Sequence, residues 1–137
     1  MADVGAGLLA SCGLVVIAVG VFFVTARPAL LPEDRRYLGV PRRLLDAVLP
    51  DLSRWLKRVF WVMGGYMVAT GVLTIQLALT GFRDGSATSI AVAGGAGVAS
   101  VGLMAVVNLQ LRSDFRWALV GLASLWIVAT LLAAFGI

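Results

Sequence analysis

Residues 39–80 read GVPRRLLDAVLPDLSRWLKRVFWVMGGYMVATGVLTIQLALT. Two patterns meet inside this stretch. As far as Arg58, apolar residues recur at intervals of three and four (Leu44, Leu45, Val48, Leu49, Leu52, Trp55, Leu56). Arg42, Arg43, Asp46, Asp51, Arg54, Lys57 and Arg58 fill the other side. This is the spacing of one apolar helix face. From Val59 to Thr80 charge disappears, over about the 20 residues that a helix needs to cross a bilayer. An amphipathic helix running into an apolar one is expected to lie in the membrane interface and then turn across it. Pro50 interrupts the first pattern, which predicts a bend there, with Asp51 capping the second piece.

Outward from this stretch, the chain has three further apolar runs. The four predicted spans are 5–26, 59–80, 87–110 and 115–136, in a single membrane domain, 1–137. The expected fold class is all-α integral membrane: four transmembrane helices, with a basic amphipathic interfacial helix in the segment 27–58. The chain is 61% hydrophobic and has a mean hydropathy of +0.99, as such a fold requires. Span one is preceded by Asp3 and followed by Arg27. A cleavable signal peptide has the reverse arrangement, so this span is expected to be retained.

Of 11 basic residues ten are arginine, against 7 acidic residues and no histidine. This usage, with abundant Ala, Val and Gly, suggests a GC-rich bacterial genome. Eight basic residues fall in 27–58 (Arg27, Arg35, Arg36, Arg42, Arg43, Arg54, Lys57, Arg58). The third connection adds Arg112 and Arg116, and the second has Arg83 alone. The positive-inside rule then places connections one and three in the cytoplasm of an inner membrane and both termini outside. Trp55, Trp61 and Trp117 would form the inner aromatic belt. A basic chain could be a nucleic-acid binder, but that requires a basic face on a soluble body, and no nucleic-acid partner is expected here.

Chemistry is bounded by what is missing. Cys12 is the only cysteine, so an intramolecular disulfide and a cysteine-based metal site are excluded. Without histidine there is no bis-His haem, His-rich di-iron site or Ser-His-Asp triad. No cofactor, metal or catalytic residue is expected. Small multidrug exporters carry a glutamate in their first span, and this first span has no acid. Four-span disulfide oxidoreductases carry paired cysteines, and this chain has one.

Three groups of residues remain as candidates. Arg42, Arg43, Arg54, Lys57 and Arg58 are expected to contact lipid headgroups of the anionic inner leaflet or an acidic partner; each basic residue there contributes about 1 kcal/mol. Gly65 and Ala69 in span two, and Ala91, Gly95, Gly97 and Ala99 in span three, have the small-residue spacing that lets helices approach in lipid, and span three is expected to have the closest neighbours. Gln76, Asn108, Gln110 and Trp126 are the candidate intramembrane polar site. Hydrogen bonding across helices is the plainer role for them, and the Trp126 indole, far from either interface, needs a partner.

Three functions fit. The first is an accessory or scaffolding subunit of a larger membrane complex, with membrane lipids and other subunits, or further copies of itself, as partners. The alternative is a homo-oligomeric small-solute transporter or channel, and a lipid-modifying enzyme comes third. The usual mark of an ion path, an ionisable residue inside a span, is absent.

The orientation has a direct check. Cysteines placed at Ala2 and Gly85 in a Cys12→Ser background are expected to react with an impermeant thiol reagent on intact cells. Reaction only after lysis would reverse the assigned topology.

Overall fold

A computed structural model describes residues 2–136. Seven helices follow one another: α1 (Ala2–Thr25), α2 (Pro32–Leu38), α3 (Arg42–Val48), α4 (Leu52–Leu77), α5 (Ala87–Gly97), α6 (Leu103–Gln110) and α7 (Arg116–Ala134). A π-turn, Ala78–Phe82, extends α4, and another, Val98–Gly102, joins α5 to α6. Four continuous stretches are long and apolar enough to cross a membrane: Asp3–Thr25, Leu52–Phe82, Ala87–Gln110 and Arg116–Ala134.

The bend occurs where the sequence places it. α3 stops at Val48, and α4 starts at Leu52 after Pro50. Asp51 occupies the N-cap position but caps nothing with its side chain. Its carboxylate turns outward to Arg54, 2.9 Å away. At the second connection Ser86 does cap, accepting the N–H of Ser89. The third connection closes through Arg112, whose φ of 51° is left-handed. Ser113 N–H donates to the Asn108 carbonyl and Arg112 N–H to that of Leu109. This is a Schellman closure with arginine where glycine is usual, and a cation at that helix end also suits the dipole.

α1 lies between α4 and α7, and α7 lies between α1 and the α5–α6 span. α5 meets the α4 span mainly at the π-turn Ala78–Phe82. The core where the spans meet contains Leu9, Cys12 and Val16 of α1, Phe82, Val101, and Trp126 and Ala129 of α7. Cys12 fills space there as a small apolar group.

The nearest backbone approach lies between α1 and α4, not on the α5–α6 span whose small residues predict it. Four glycines form it. A Cβ built on Gly20 would sit 2.7 Å from the Gly64 carbonyl oxygen, and one on Gly64 2.6 Å from that of Gly20. One on Gly13 would sit 2.9 Å from the Gly71 oxygen, and one on Gly71 2.5 Å from that of Gly13. The two contacts are reciprocal and lie seven residues apart along each helix (13 to 20, 64 to 71). Seven residues is two turns of a left-handed antiparallel pair. Where lipid removes any hydrophobic drive between helices, dispersion and Cα–H···O contacts take over, each of the latter contributing about 0.5–1 kcal/mol.

Alanine is therefore expected to act oppositely at two kinds of glycine. Gly64→Ala or Gly71→Ala should lower stability in detergent by about 1–3 kcal/mol, because the backbones must separate. Gly121, with open space around it, should tolerate alanine with a gain of about 0.5–1 kcal/mol from helix propensity. Thermal unfolding of the three variants measures the contrast.

Candidate functional site

The end of the bundle that holds residues 27–58, here the basic end, carries a buried polar cluster. It begins with Arg27, just past the end of α1. The guanidinium folds back over the bundle, with its side chain 8% exposed. It lies 3.5 Å from the centroid of the Phe60 ring and 5.0 Å from that of Phe23. Phe23 and Phe60 meet edge to face at 5.9 Å. The Gly20–Gly64 crossing one turn away brings these rings from α1 and α4 together, and a cation over such faces is attracted by their quadrupoles.

The remaining partners of Arg27 are polar. One terminal nitrogen lies 3.5 Å from Asp34 Oδ2, the other donates to the Pro28 carbonyl at 3.0 Å, and Nε has no hydrogen-bond partner among the described residues. Asp34 Oδ2 also accepts the Leu31 N–H at 2.8 Å, which holds the start of α2. Burial pulls the Arg27 pKa below its ordinary value, and the carboxylates of Asp34 and Glu33 push it back up. Glu33 is itself buried, 3% exposed, and accepts a hydrogen bond of 3.0 Å from Ser113 Oγ. Ser113 Oγ in turn accepts the Phe115 N–H at 3.2 Å. Arg36 adds a long, exposed pair to Asp114 at 3.6 Å. α2 is thus tied to the end of α1 through Asp34 and to the α6–α7 connection through Glu33.

The five predicted headgroup or partner residues surround a different surface. Arg42, Arg43, Arg54, Lys57 and Arg58 are all exposed. α3 has no buried residue, and Leu44, Val48, Leu49 and Trp55 stand 51–66% exposed. Arg42 pairs with Asp46 at 3.5 Å along its own helix. Arg43, Lys57 and Arg58 make no ion pair among the described residues. The result is a greasy strip with a cationic margin, and among the described residues α3 has no buried residue to mark packing on it.

The predicted intramembrane polar residues do not converge. Gln76 and Gln110 face outward, and the Asn108 amide donates to the Met104 carbonyl of its own helix at 2.9 Å. Trp126 is 2% exposed, and its indole N–H donates to the Ala93 carbonyl across to α5 at 2.9 Å. Gly97 makes room for that ring: a Cβ there would collide with the indole. Of the predicted packing residues, Gly97 is the one enclosed by the bundle. Gly65, Ala69, Ala91, Gly95 and Ala99 lie on outward faces, and Gly65 and Gly95 have open space beside them. A shallow apolar groove of about 240 Å³ runs between α5–α6 and α7, lined in part by Gly94, Gly97, Gly102, Trp126 and Thr130. Among the described residues, no three His, Cys, Asp or Glu side chains group where they could hold a metal ion.

The cluster partners are expected to differ in cost. Ser113→Ala removes one hydrogen bond, about 0.5–1.5 kcal/mol. Arg27→Leu leaves two carboxylates without their cation and should cost about 2 kcal/mol, less than the about 3–5 kcal/mol of a fully buried pair because Asp34 keeps some water. Unfolding in detergent, with Arg35→Leu as the exposed control, measures both.

Comparison of the chain with known protein families, curated proteins and solved structures finds no match, so its function must be read from these residues.

Proposed function

We propose that the protein is a multi-pass accessory or scaffolding subunit of a plasma-membrane complex, with its basic end at the cytoplasmic face. The observation that carries this reading is the strip formed by α3 and the first turns of α4. Its apolar side, Leu44, Val48, Leu49 and Trp55, is exposed, and Arg42, Arg43, Arg54, Lys57 and Arg58 flank it. At an anionic leaflet the apolar side enters the interface and the cations meet phosphate, each contributing about 1 kcal/mol. A helix held there presents its remaining cations to acidic segments of neighbouring subunits. The excess of basic residues in connections one and three supports the orientation.

The bundle interior supports the same reading. Leu9, Val16, Phe82, Val101 and Trp126 fill it, and a cross-span hydrogen bond at its centre, from Trp126 to Ala93, fixes α7 on α5. Gln76 and Gln110 face outward, Asn108 bonds its own helix and Trp126 bonds Ala93, so these four side chains line no shared path.

Purification of the tagged protein from its own membranes in mild detergent tests the proposal. The expected outcome is co-purification of defined membrane subunits in fixed stoichiometry. Replacing Arg42, Arg43, Arg54, Lys57 and Arg58 together by glutamine should release them while the four-span bundle keeps its thermal stability. Elution without companions before any substitution would overturn the accessory reading.

A further inference from the structure

We propose that Arg27 is a covered seat for the phosphate of an anionic lipid headgroup, and that the acidic first turn of α2 is a strap which occupies that seat until the leaflet displaces it. The proposal rests on the reading that the basic end meets an anionic leaflet. The glycine contacts set the depth of Arg27. Carried one more repeat of seven residues, the register that sets Gly13 on Gly71 and Gly20 on Gly64 puts Arg27 level with Lys57. Lys57 and Arg58 are exposed, at a level where a span end meets headgroups. Arg27 shares that level, but its side chain is 8% exposed.

The guanidinium is poorly matched by what covers it. It has five N–H donors in a planar fork. Its bond to the Pro28 carbonyl, at 3.0 Å, is to its own neighbour in sequence. Asp34 stands at 3.5 Å, toward one terminal nitrogen. Nε is buried and has no hydrogen-bond partner among the described residues. A phosphate can take Nε–H and a terminal N–H together, in the bidentate geometry that suits this fork. The carboxylate of Asp34 is held away from that geometry because its Oδ2 also accepts the Leu31 N–H at 2.8 Å.

The strap is held by charge rather than by apolar packing. Glu33 is the buried residue of α2, and Tyr37 and Leu38 are 71% and 48% exposed. Lifting α2 therefore gives up the Arg27–Asp34 pair, the Ser113–Glu33 hydrogen bond and the long, exposed Arg36–Asp114 pair, with no large apolar side chain leaving the core. The bond from Leu31 to Asp34 lies within the strap and travels with it. Both carboxylates regain water, which removes the desolvation that burial costs them. Arg35 and Arg36, exposed at the other end of α2, are then free to meet phosphates of the same leaflet, each gaining about as much as any basic residue there.

Hydrogen exchange of the full chain in lipid nanodiscs tests this. In phosphatidylcholine discs the α2 amides are expected to be protected. In phosphatidylglycerol discs they should exchange about fivefold faster, the equivalent of one basic residue meeting an anionic leaflet, while the amides of the four spans exchange as before. Inorganic phosphate added to phosphatidylcholine discs should leave α2 protected. In native mass spectrometry, Glu33→Gln with Asp34→Asn should retain one more phosphatidylglycerol than the unaltered chain, and adding Arg27→Gln should remove it. Equal α2 exchange in the two discs, release of α2 by inorganic phosphate alone, or no additional lipid on the uncovered variant would each overturn the proposal. So would loss of the lipid effect when Arg42, Arg43, Arg54, Lys57 and Arg58 are replaced together by glutamine, since the leaflet would then act through α3 and not through Arg27. None of these outcomes bears on whether other subunits co-purify, so the accessory reading stands or falls separately.

Discussion

Two glycine carbonyl oxygens on each of two helices lie 2.5–2.9 Å from where a Cβ on the facing glycine would stand, and the rest of the bundle is arranged around that contact. In water such a pair could be held by burying larger side chains. In hydrocarbon, leucine is no better off against another helix than against lipid, so close backbone approach becomes the stabilising term. Gly13, Gly20, Gly64 and Gly71 allow that approach, and they also fix the register of α1 on α4.

The register reaches the basic end. Phe23 and Phe60 lie one turn beyond Gly20 and on the Arg58 side of Gly64, so a slip of either helix would part the rings. Arg27 rests on those rings and holds Asp34. Asp34 begins α2, and its neighbour Glu33 reaches Ser113 in the α6–α7 connection. A glycine contact within the spans is therefore linked by contiguous packing to the last helical hairpin. α3 takes no part in this chain of contacts, which leaves its apolar strip available.

Much of the fold was legible in the sequence: the four spans, the bend at Pro50 and the need of the Trp126 indole for a partner. The packing was not. Small residues four apart are the familiar mark of close helices, and they drew the reading to Ala91, Gly95 and Ala99, which face outward. The contacts that form use glycines seven apart on two spans separated by a long connection, and neither helix alone reveals which of its glycines meets the other. Arg27 was legible as a charge that orients the chain, and Glu33 was not singled out at all. Their burial depends on Asp34 meeting Arg27 and Glu33 meeting Ser113 across the basic end, which no local pattern records. Ser113 accepts a backbone N–H from Phe115 two residues on, but its bond to Glu33 spans 80 residues.

The central position of α1 also has a consequence in time. Gly64 leaves the ribosome 44 residues after Gly20, an interval of about 2–9 s at 5–20 residues per second. In a membrane, α1 would spend that interval with its glycine groove filled by acyl chains. α4 would then displace them, and α7 would dock later on the opposite flank of α1. Assembly in the order of synthesis around α1 would release lipid from the groove in its first step, an entropic gain.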